Sequence, residues 1–117
     1  MVQARPVVLL ASSRSDGNTR ALAELVLDPA AADYADLSAL KIGYYSYEYE
    51  HSGDDFLPLI ERAVQAPLWV LATPLYWYTM SAQAKTFVDR LSDLLHHRKE
   101  LGRALRGKRL AVICGGT

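Results

Sequence analysis

The chain has 117 residues, about the size of one domain, and half of them are hydrophobic. Its 13 basic and 13 acidic side chains cancel, which removes the usual electrostatic argument for nucleic acid or an anionic membrane as a partner. The single cysteine, Cys114, excludes an intrachain disulfide framework. No apolar run approaches the roughly 20 residues that span a bilayer, and the N-terminus lacks the pattern of a secretory signal. We therefore expect a soluble, cytoplasmic protein that forms one domain over residues 1–117.

The first predicted element is a buried strand over residues 7–11, VVLLA, followed by a polar loop and a helix that Pro29 ends. A weaker strand is predicted over residues 37–45. Asp54 and Asp55 then precede a helix that continues to Val64.

Two further apolar runs, LWVLAT at 68–73 and LAVIC at 110–114, are predicted as buried strands. Between them Ser81 begins a long predicted helix with apolar residues on one face as far as Leu95. Strands that alternate with helices indicate right-handed βαβ units and a mostly parallel sheet. Ligands bind outside the carboxyl ends of such strands, so the loops that leave them are the first candidates for a site.

The loop after the first strand, SSRSDGNT at 12–19, has the composition of a phosphate-binding loop. Arg14 can form paired hydrogen bonds with phosphate oxygens, Gly17 permits a tight turn, and the following helix offers unpaired N–H groups. The loop also contains hydroxyl and amide donors at Ser12, Ser13, Ser15, Asn18 and Thr19. The sequence contains neither GxxxxGK[ST] nor GxGxxG, which argues against a P-loop nucleotidase and a Rossmann dinucleotide site. The alternative is a plain polar turn that caps the helix.

The loop after the third apolar strand contains three consecutive aromatic residues, Tyr76, Trp77 and Tyr78. Their flat faces and polar tips suit the covering of a planar heterocycle, and Pro74 stiffens the backbone beside them. A hydrophobic plug or a subunit contact is the alternative. Ser81 is predicted to cap the helix that follows.

Four tyrosines crowd the segment 44–51, YYSYEYEH. They could border a ligand pocket or an acceptor site, or they could provide aromatic packing or a dimer contact. His96 and His97 are adjacent on a helix and point about 100° apart, so we interpret them as a solvated helix end and expect no metal site.

Lys85 and Asp89 are spaced for a surface ion pair, although Asp89 and Arg90 could instead lie at a subunit contact. Cys114 is predicted to be a buried strand residue.

Three segments, in this order, resemble the flavodoxin-like NADPH-dependent FMN reductase family: VLLASSRSDGNTRALAELV, VLATPLYWYTMSAQAKTFVDRL and GKRLAVICGG. The second contains the spacing TPxYxxxxSxxxKxxxDR. The resemblance implies an α/β fold, a flavodoxin-like three-layer α/β/α sandwich with a parallel sheet of order 2-1-3-4-5. This chain stops at Thr117, so we expect the order 2-1-3-4 with the fifth strand and last helix missing. Loss of that helix is expected to uncover an apolar face around the first and third strands, unless another subunit covers it.

The resemblance also implies an FMN site, with no metal and no dedicated catalytic side chain. The expected cofactor-binding residues are Ser12, Arg14, Ser15, Asn18 and Thr19 around the phosphate, Pro74, Leu75, Tyr76 and Trp77 beside the ring, and Gly115 and Gly116 on its other side.

The implied activity is that of an FMN-dependent NAD(P)H oxidoreductase, with NAD(P)H as co-substrate. Hydride would pass from the nicotinamide to the flavin and on to a quinone, a flavin, an azo compound or a similar acceptor. The resemblance implies a homodimer or tetramer. The alternatives are a flavodoxin-type FMN electron carrier, which zero net charge disfavours, and a cofactor-free truncated interaction module.

Overall fold

The computed structural model describes residues 5–12, 17–75 and 79–115. Four strands are present in these ranges: β1 (Val7–Leu10), β2 (Asp33–Asp36), β3 (Leu68–Pro74) and β4 (Arg109–Gly115). The helices are α1 (Asn18–Val26), α2 (Phe56–Ala63), α3 (Ala82–Arg90), α4 (Asp93–His96) and α5 (Lys99–Ala104), with a 3-10 turn at Leu37–Ala39.

All four strands are parallel and lie in the order β2-β1-β3-β4, which confirms the predicted topology. In register, Val8 lies between Tyr34 of β2 and Val70 of β3, and Trp69 pairs with Leu110 of β4. Because the strands are parallel, their carboxyl ends meet at one edge of the sheet, which we call the carboxyl rim.

A hydrophobic cluster covers each face of the sheet, as a three-layer sandwich requires. On one face Leu9 and Leu71 pack with residues of α2, α3, α4 and α5. On the other face Val8 and Val70 pack with Ala23 of α1. The residues of β1 are at most 1% exposed, because helices cover both sides of this strand.

The second strand lies earlier than predicted, at Asp33–Asp36 rather than 37–45. Within it only Ala35 is fully buried, so the strand lacks the apolar run by which buried strands are found. Leu37 is buried in the 3-10 turn instead, and the Asp36 side chain accepts a hydrogen bond from the Ser38 N–H, which turns the chain. The leucine and isoleucine that suggested a strand, Leu40 and Ile42, pack on the core from irregular backbone.

The long helix predicted to begin after Ser81 is interrupted beyond Arg90, where α3 ends and α4 begins at Asp93. A buried ion pair between Arg90 and Asp93 spans the break. The short helix α5 had no counterpart in the predicted elements. Among the residues that the structure describes, no helix is both long enough and apolar enough to cross a bilayer.

The exposed apolar residues of the sheet lie on β4, not around β1 and β3 as expected. Leu110 is 65% exposed and Val112 is 54% exposed, whereas the central strands are covered on both faces. Among the described residues β4 pairs only with β3, so it is an edge strand. Cys114 also lies on this edge strand and is exposed, so the prediction of a buried cysteine is wrong.

Candidate functional site

Hydrogen bonds between neutral polar groups hold the start of α3 against the ends of β1 and β3. The Ser81 hydroxyl donates to the Ala11 carbonyl at 2.6 Å and accepts from the Ala84 N–H at 3.1 Å. The Ser81 N–H donates to the Thr73 hydroxyl at 3.0 Å, and both side chains are at most 1% exposed. Ser81 therefore caps α3 as predicted, and it also fixes the positions of three chain segments at the carboxyl rim.

Helix α1 begins at the same rim, and its N-cap residue makes no side-chain capping hydrogen bond. Its N-cap residue is Gly17, and its first turn contains no acidic residue. Unpaired N–H groups and the helix dipole favour an anion at such an end. Thr19 in this turn is 7% exposed and Ser12 after β1 is 6% exposed, so both hydroxyl residues are buried.

The ends of β3 and β4 close the other side of the rim. The Leu75 N–H donates to the Gly115 carbonyl at 3.0 Å, which extends the pairing of the two strands by one residue. A Cβ on Gly115 would lie 3.4 Å from the Leu22 side chain of α1, so glycine permits a close approach of α1 to the end of β4. The rim thus unites α1 with the ends of β1, β3 and β4.

Six of the predicted site residues lie in the described ranges, and they are at this rim. Ser12, Asn18 and Thr19 lie at the β1–α1 side, and Pro74, Leu75 and Gly115 lie at the ends of β3 and β4. The remaining predicted residues lie outside the described ranges: Ser13, Arg14, Ser15, Tyr76, Trp77, Tyr78 and Gly116.

The described site residues, Ser12, Asn18, Thr19, Pro74, Leu75 and Gly115, have no ionisable side chain, whereas the end of β2 carries Asp36 at the same edge of the sheet. Within the described ranges, no group of three or more His, Cys, Asp or Glu residues could hold a metal ion.

Sequence reasoning missed a buried cation, Arg90, whose side chain is 1% exposed. Its guanidinium pairs with Asp54 at 2.6 Å and with Asp93 at 2.7 Å. It also donates to the carbonyls of Gly43 and His51. Burial alone would lower the pKa of Arg90, but its hydrogen bonds to Asp54 and Asp93 raise the pKa above its ordinary value.

A pattern in the sequence could have revealed this cation. Arg90 follows the buried Phe87 by three residues, which places a charge on the core-facing side of α3. Its guanidinium lies 4.7 Å from the centre of the Phe56 ring. A charge at such a position requires carboxylate partners elsewhere in the chain.

Arg90 also fixes the tyrosine-rich segment 44–51. It donates hydrogen bonds to the carbonyl of Gly43, just before the segment, and to the carbonyl of His51, its last residue. Tyr49 stacks on His97 with ring centres 3.8 Å apart. Arg90 is nine residues beyond Ser81, which is roughly 13 Å along α3 from the rim. These contacts favour aromatic packing over a place beside the ligand. They also show that His97 packs on Tyr49, while His96 is exposed.

The outer face of α3 carries the predicted surface ion pair. Lys85 and Asp89 bind one another, with side chains 62% and 42% exposed. The alternative expectation placed Asp89 and Arg90 together at a subunit contact, but Arg90 is buried within the chain.

Comparison with known proteins identifies the family. The model of the family described as NADPH-dependent FMN reductase matches residues 5–117. The chain belongs to this family. It is 34% identical over 94 residues to YwqN of Bacillus subtilis strain 168, which is named as an NAD(P)H-dependent FMN-containing oxidoreductase. That match covers 75% of this chain and 52% of YwqN, so the chain spans about half the length of this family relative.

Solved structures of family-like proteins share the fold. The Trp repressor binding protein from Bacillus subtilis superposes with a TM-score of 0.75 and 30% identity, over 96% of this chain and 63% of that protein. The FMN-dependent NADH-azoreductase from Bacillus anthracis, solved in complex with FMN, superposes with a TM-score of 0.66. Its identity is 10%, over 96% of this chain and 69% of the azoreductase, so this likeness concerns the fold alone.

Proposed function

We propose that the chain is the FMN-binding unit of an FMN-dependent NAD(P)H oxidoreductase. In this proposal, hydride passes from the nicotinamide to the flavin and on to a quinone, a flavin or a similar acceptor. The carboxyl rim carries the proposal, because there the start of α1, with glycine as its N-cap residue, meets the ends of β1, β3 and β4. Membership of the FMN reductase family supports the choice of cofactor.

The β1–α1 side of the rim is proposed to hold the FMN phosphate. Ser12, Asn18 and Thr19 lie beside the N-terminus of α1, whose dipole favours a dianion without a metal. Arg14 and Ser15 belong to the same loop in the sequence and would add a charged and a neutral donor. The first turn of α1 contains no acidic residue.

The ends of β3 and β4 are proposed to hold the flavin ring. Pro74, Leu75 and Gly115 are described at this side, and Tyr76, Trp77 and Gly116 are assigned from the sequence. Bound FMN supplies the hydride transfer, and the chain positions and shields it. Tyr76 and Trp77 are proposed to shape the nicotinamide face, and no acid–base side chain is assigned.

The unit is proposed to be one cytoplasmic domain that works as a homodimer or tetramer. The Lys85–Asp89 pair and the rest of the outer face of α3 are exposed in the single chain and available for contacts.

Anaerobic addition of NADPH to the FMN-loaded protein tests the function. We expect the flavin absorption to bleach with NADPH and to return when a quinone is added. Bound FMN that NADPH does not bleach would indicate an electron carrier. Failure to bind FMN at all would indicate an interaction module and would overturn the proposal.

A further inference from the structure

A buried hydroxyl residue, Thr73, follows the apolar part of β3. Alternate residues of a strand share a face, so Thr73 lies on the same face as Trp69 and Leu71, which is the face that α3 covers. The residue is 1% exposed. Valine has nearly the same shape and would fill this position without a polar atom, so the buried hydroxyl requires a reason other than packing.

The Thr73 hydroxyl forms two hydrogen bonds. It donates to the carbonyl of Pro74 at 2.9 Å and accepts from the N–H of Ser81 at 3.0 Å. Ser81 is the N-cap residue of α3. A hydroxyl has one proton to donate, and Thr73 uses it on the backbone of the next residue in the strand.

The peptide group between Pro74 and Leu75 is held at both of its polar atoms. Its carbonyl oxygen belongs to Pro74 and accepts from Thr73. Its N–H belongs to Leu75 and donates to the Gly115 carbonyl at 3.0 Å. Because a peptide group is planar, hydrogen bonds at both ends fix the orientation of the whole unit. This unit lies on the side of the rim where the flavin ring is proposed to bind.

We infer that Thr73 is a positioning residue for the flavin ring. It acts through the peptide group between Pro74 and Leu75, whose orientation at the ring side of the rim it sets. Without the hydroxyl, the Pro74 carbonyl loses its donor, and the ring meets a surface that is no longer preorganised. This inference rests on the proposed function, because it assigns a role at the ring side of the same FMN site.

The phosphate side of the proposed site provides an internal reference. The residues proposed to bind phosphate lie after β1 and at the start of α1, whereas the two bonds of the Thr73 hydroxyl go to Pro74 and Ser81. Loss of the hydroxyl should therefore weaken the hold on the ring and leave the affinity for phosphate unchanged. A general loosening of the rim would weaken both.

Titration of three variants with FMN tests the inference. Thr73→Val removes the hydroxyl, Thr73→Ser keeps it, and Thr86→Val makes the same exchange at a half-buried position of α3. For Thr73→Val we expect an FMN dissociation constant about tenfold above that of the wild type, the upper range for one hydrogen bond. The visible spectrum of its bound FMN should also differ from that of the wild type, while the inhibition constant of competing inorganic phosphate stays the same. Thr73→Ser and Thr86→Val should match the wild type in all three measurements.

Two outcomes in protein with native circular dichroism would overturn the inference. One is an FMN affinity and spectrum in Thr73→Val that equal those of the wild type, which would make Thr73 a structural residue only. The other is an equal loss of affinity for FMN and for inorganic phosphate.

If Thr73→Val does not fold, Thr73→Cys replaces it, because a thiol is a weaker donor and acceptor than a hydroxyl. Its FMN dissociation constant should rise while the inhibition constant of phosphate stays the same, and an unchanged FMN affinity would overturn the inference. A folded wild type that binds no FMN would overturn the proposed function and this inference with it. Wild-type FMN binding that the valine variant fully retains would overturn this inference alone.

Discussion

The carboxyl rim and the Arg90 cluster both bury polar groups, but they do so in different ways. At the rim, Ser81 and Thr73 satisfy each other and the backbone with neutral hydrogen bonds. Around Arg90, one full charge is matched by two carboxylates and two carbonyls. Neither Ser81 nor Thr73 brings a fixed charge to the rim, whereas the charge of Arg90 is already paired with carboxylates.

We therefore expect the Arg90 cluster to govern mainly the stability of the fold and the rim to govern mainly the binding of FMN. Changes at Arg90 should destabilise the fold most strongly, and changes in the loop after β1 should alter FMN affinity. The predictions below test whether the two regions can be perturbed separately.

The largest effect is expected for Arg90→Ala. The variant leaves Asp54 and Asp93 without their buried partner, which costs about 3–5 kcal/mol of unfolding free energy. Chemical denaturation measures this loss. Lys85→Ala on the same helix removes an exposed ion pair and should cost only about 0.3–0.5 kcal/mol. Equal losses in the two variants would show that burial of Arg90 is unimportant.

The same cluster predicts a dependence on pH. Burial would raise the pKa of Asp54, but hydrogen bonds from Arg90 and from the backbone of Gly43 and Phe56 hold it below the ordinary 3.8. A lowered folded-state pKa gives stability that is complete above the unfolded-state pKa and is lost as pH falls through the folded value.

Asp54→Asn removes this titration. We expect the wild type to be more stable than the variant at pH 6, with a gap that narrows as the pH is lowered below about 4. Unfolding free energies at several pH values measure the gap. A gap that stays constant over this range would contradict the assignment.

At the rim, Arg14→Ala should weaken FMN binding by about 1.5–3 kcal/mol, the range for a hydrogen bond to a charged group. Fluorescence titration with FMN measures the dissociation constant, and unfolding free energy should change little. Arg20→Ala provides an arginine control on the same helix–loop unit, because Arg20 pairs with Glu24. An unchanged FMN affinity in Arg14→Ala would remove Arg14 from the phosphate site.

The smallest effect is expected for Ser81→Ala. Loss of the cap and of the bond to the Ala11 carbonyl should lower the unfolding free energy by about 1–2 kcal/mol. Ser92→Ala is the control, since Ser92 precedes α4 without a side-chain capping bond. If both variants lose the same stability, the fastening of the rim by Ser81 is refuted.

The central sheet was predictable because β1 and β3 are covered on both faces and therefore appear as continuous apolar runs. The edge strands were harder. Strand β2 is short and mostly polar. Strand β4 contains a continuous apolar run, as a central strand does, although its Leu110 and Cys114 are exposed. Periodicity detects apolar side chains but does not show whether a neighbouring element will cover them.

The cap at Ser81 was predictable because its chemistry is local in sequence, whereas the phosphate site in the polar loop after β1 stays a prediction. The Arg90 cluster was not predictable, because Asp54 lies 36 residues earlier in the chain and only the fold brings the two together. The only sequence signal of such a tertiary ion pair is a charged residue on an otherwise apolar helix face.

Titration of the purified protein with FMN shows whether the carboxyl rim is a flavin site. We expect stoichiometric binding, with a shifted visible flavin spectrum, and loss of this binding when inorganic phosphate at high concentration competes for the start of α1. Absence of any spectral change on addition of FMN to folded protein would contradict it.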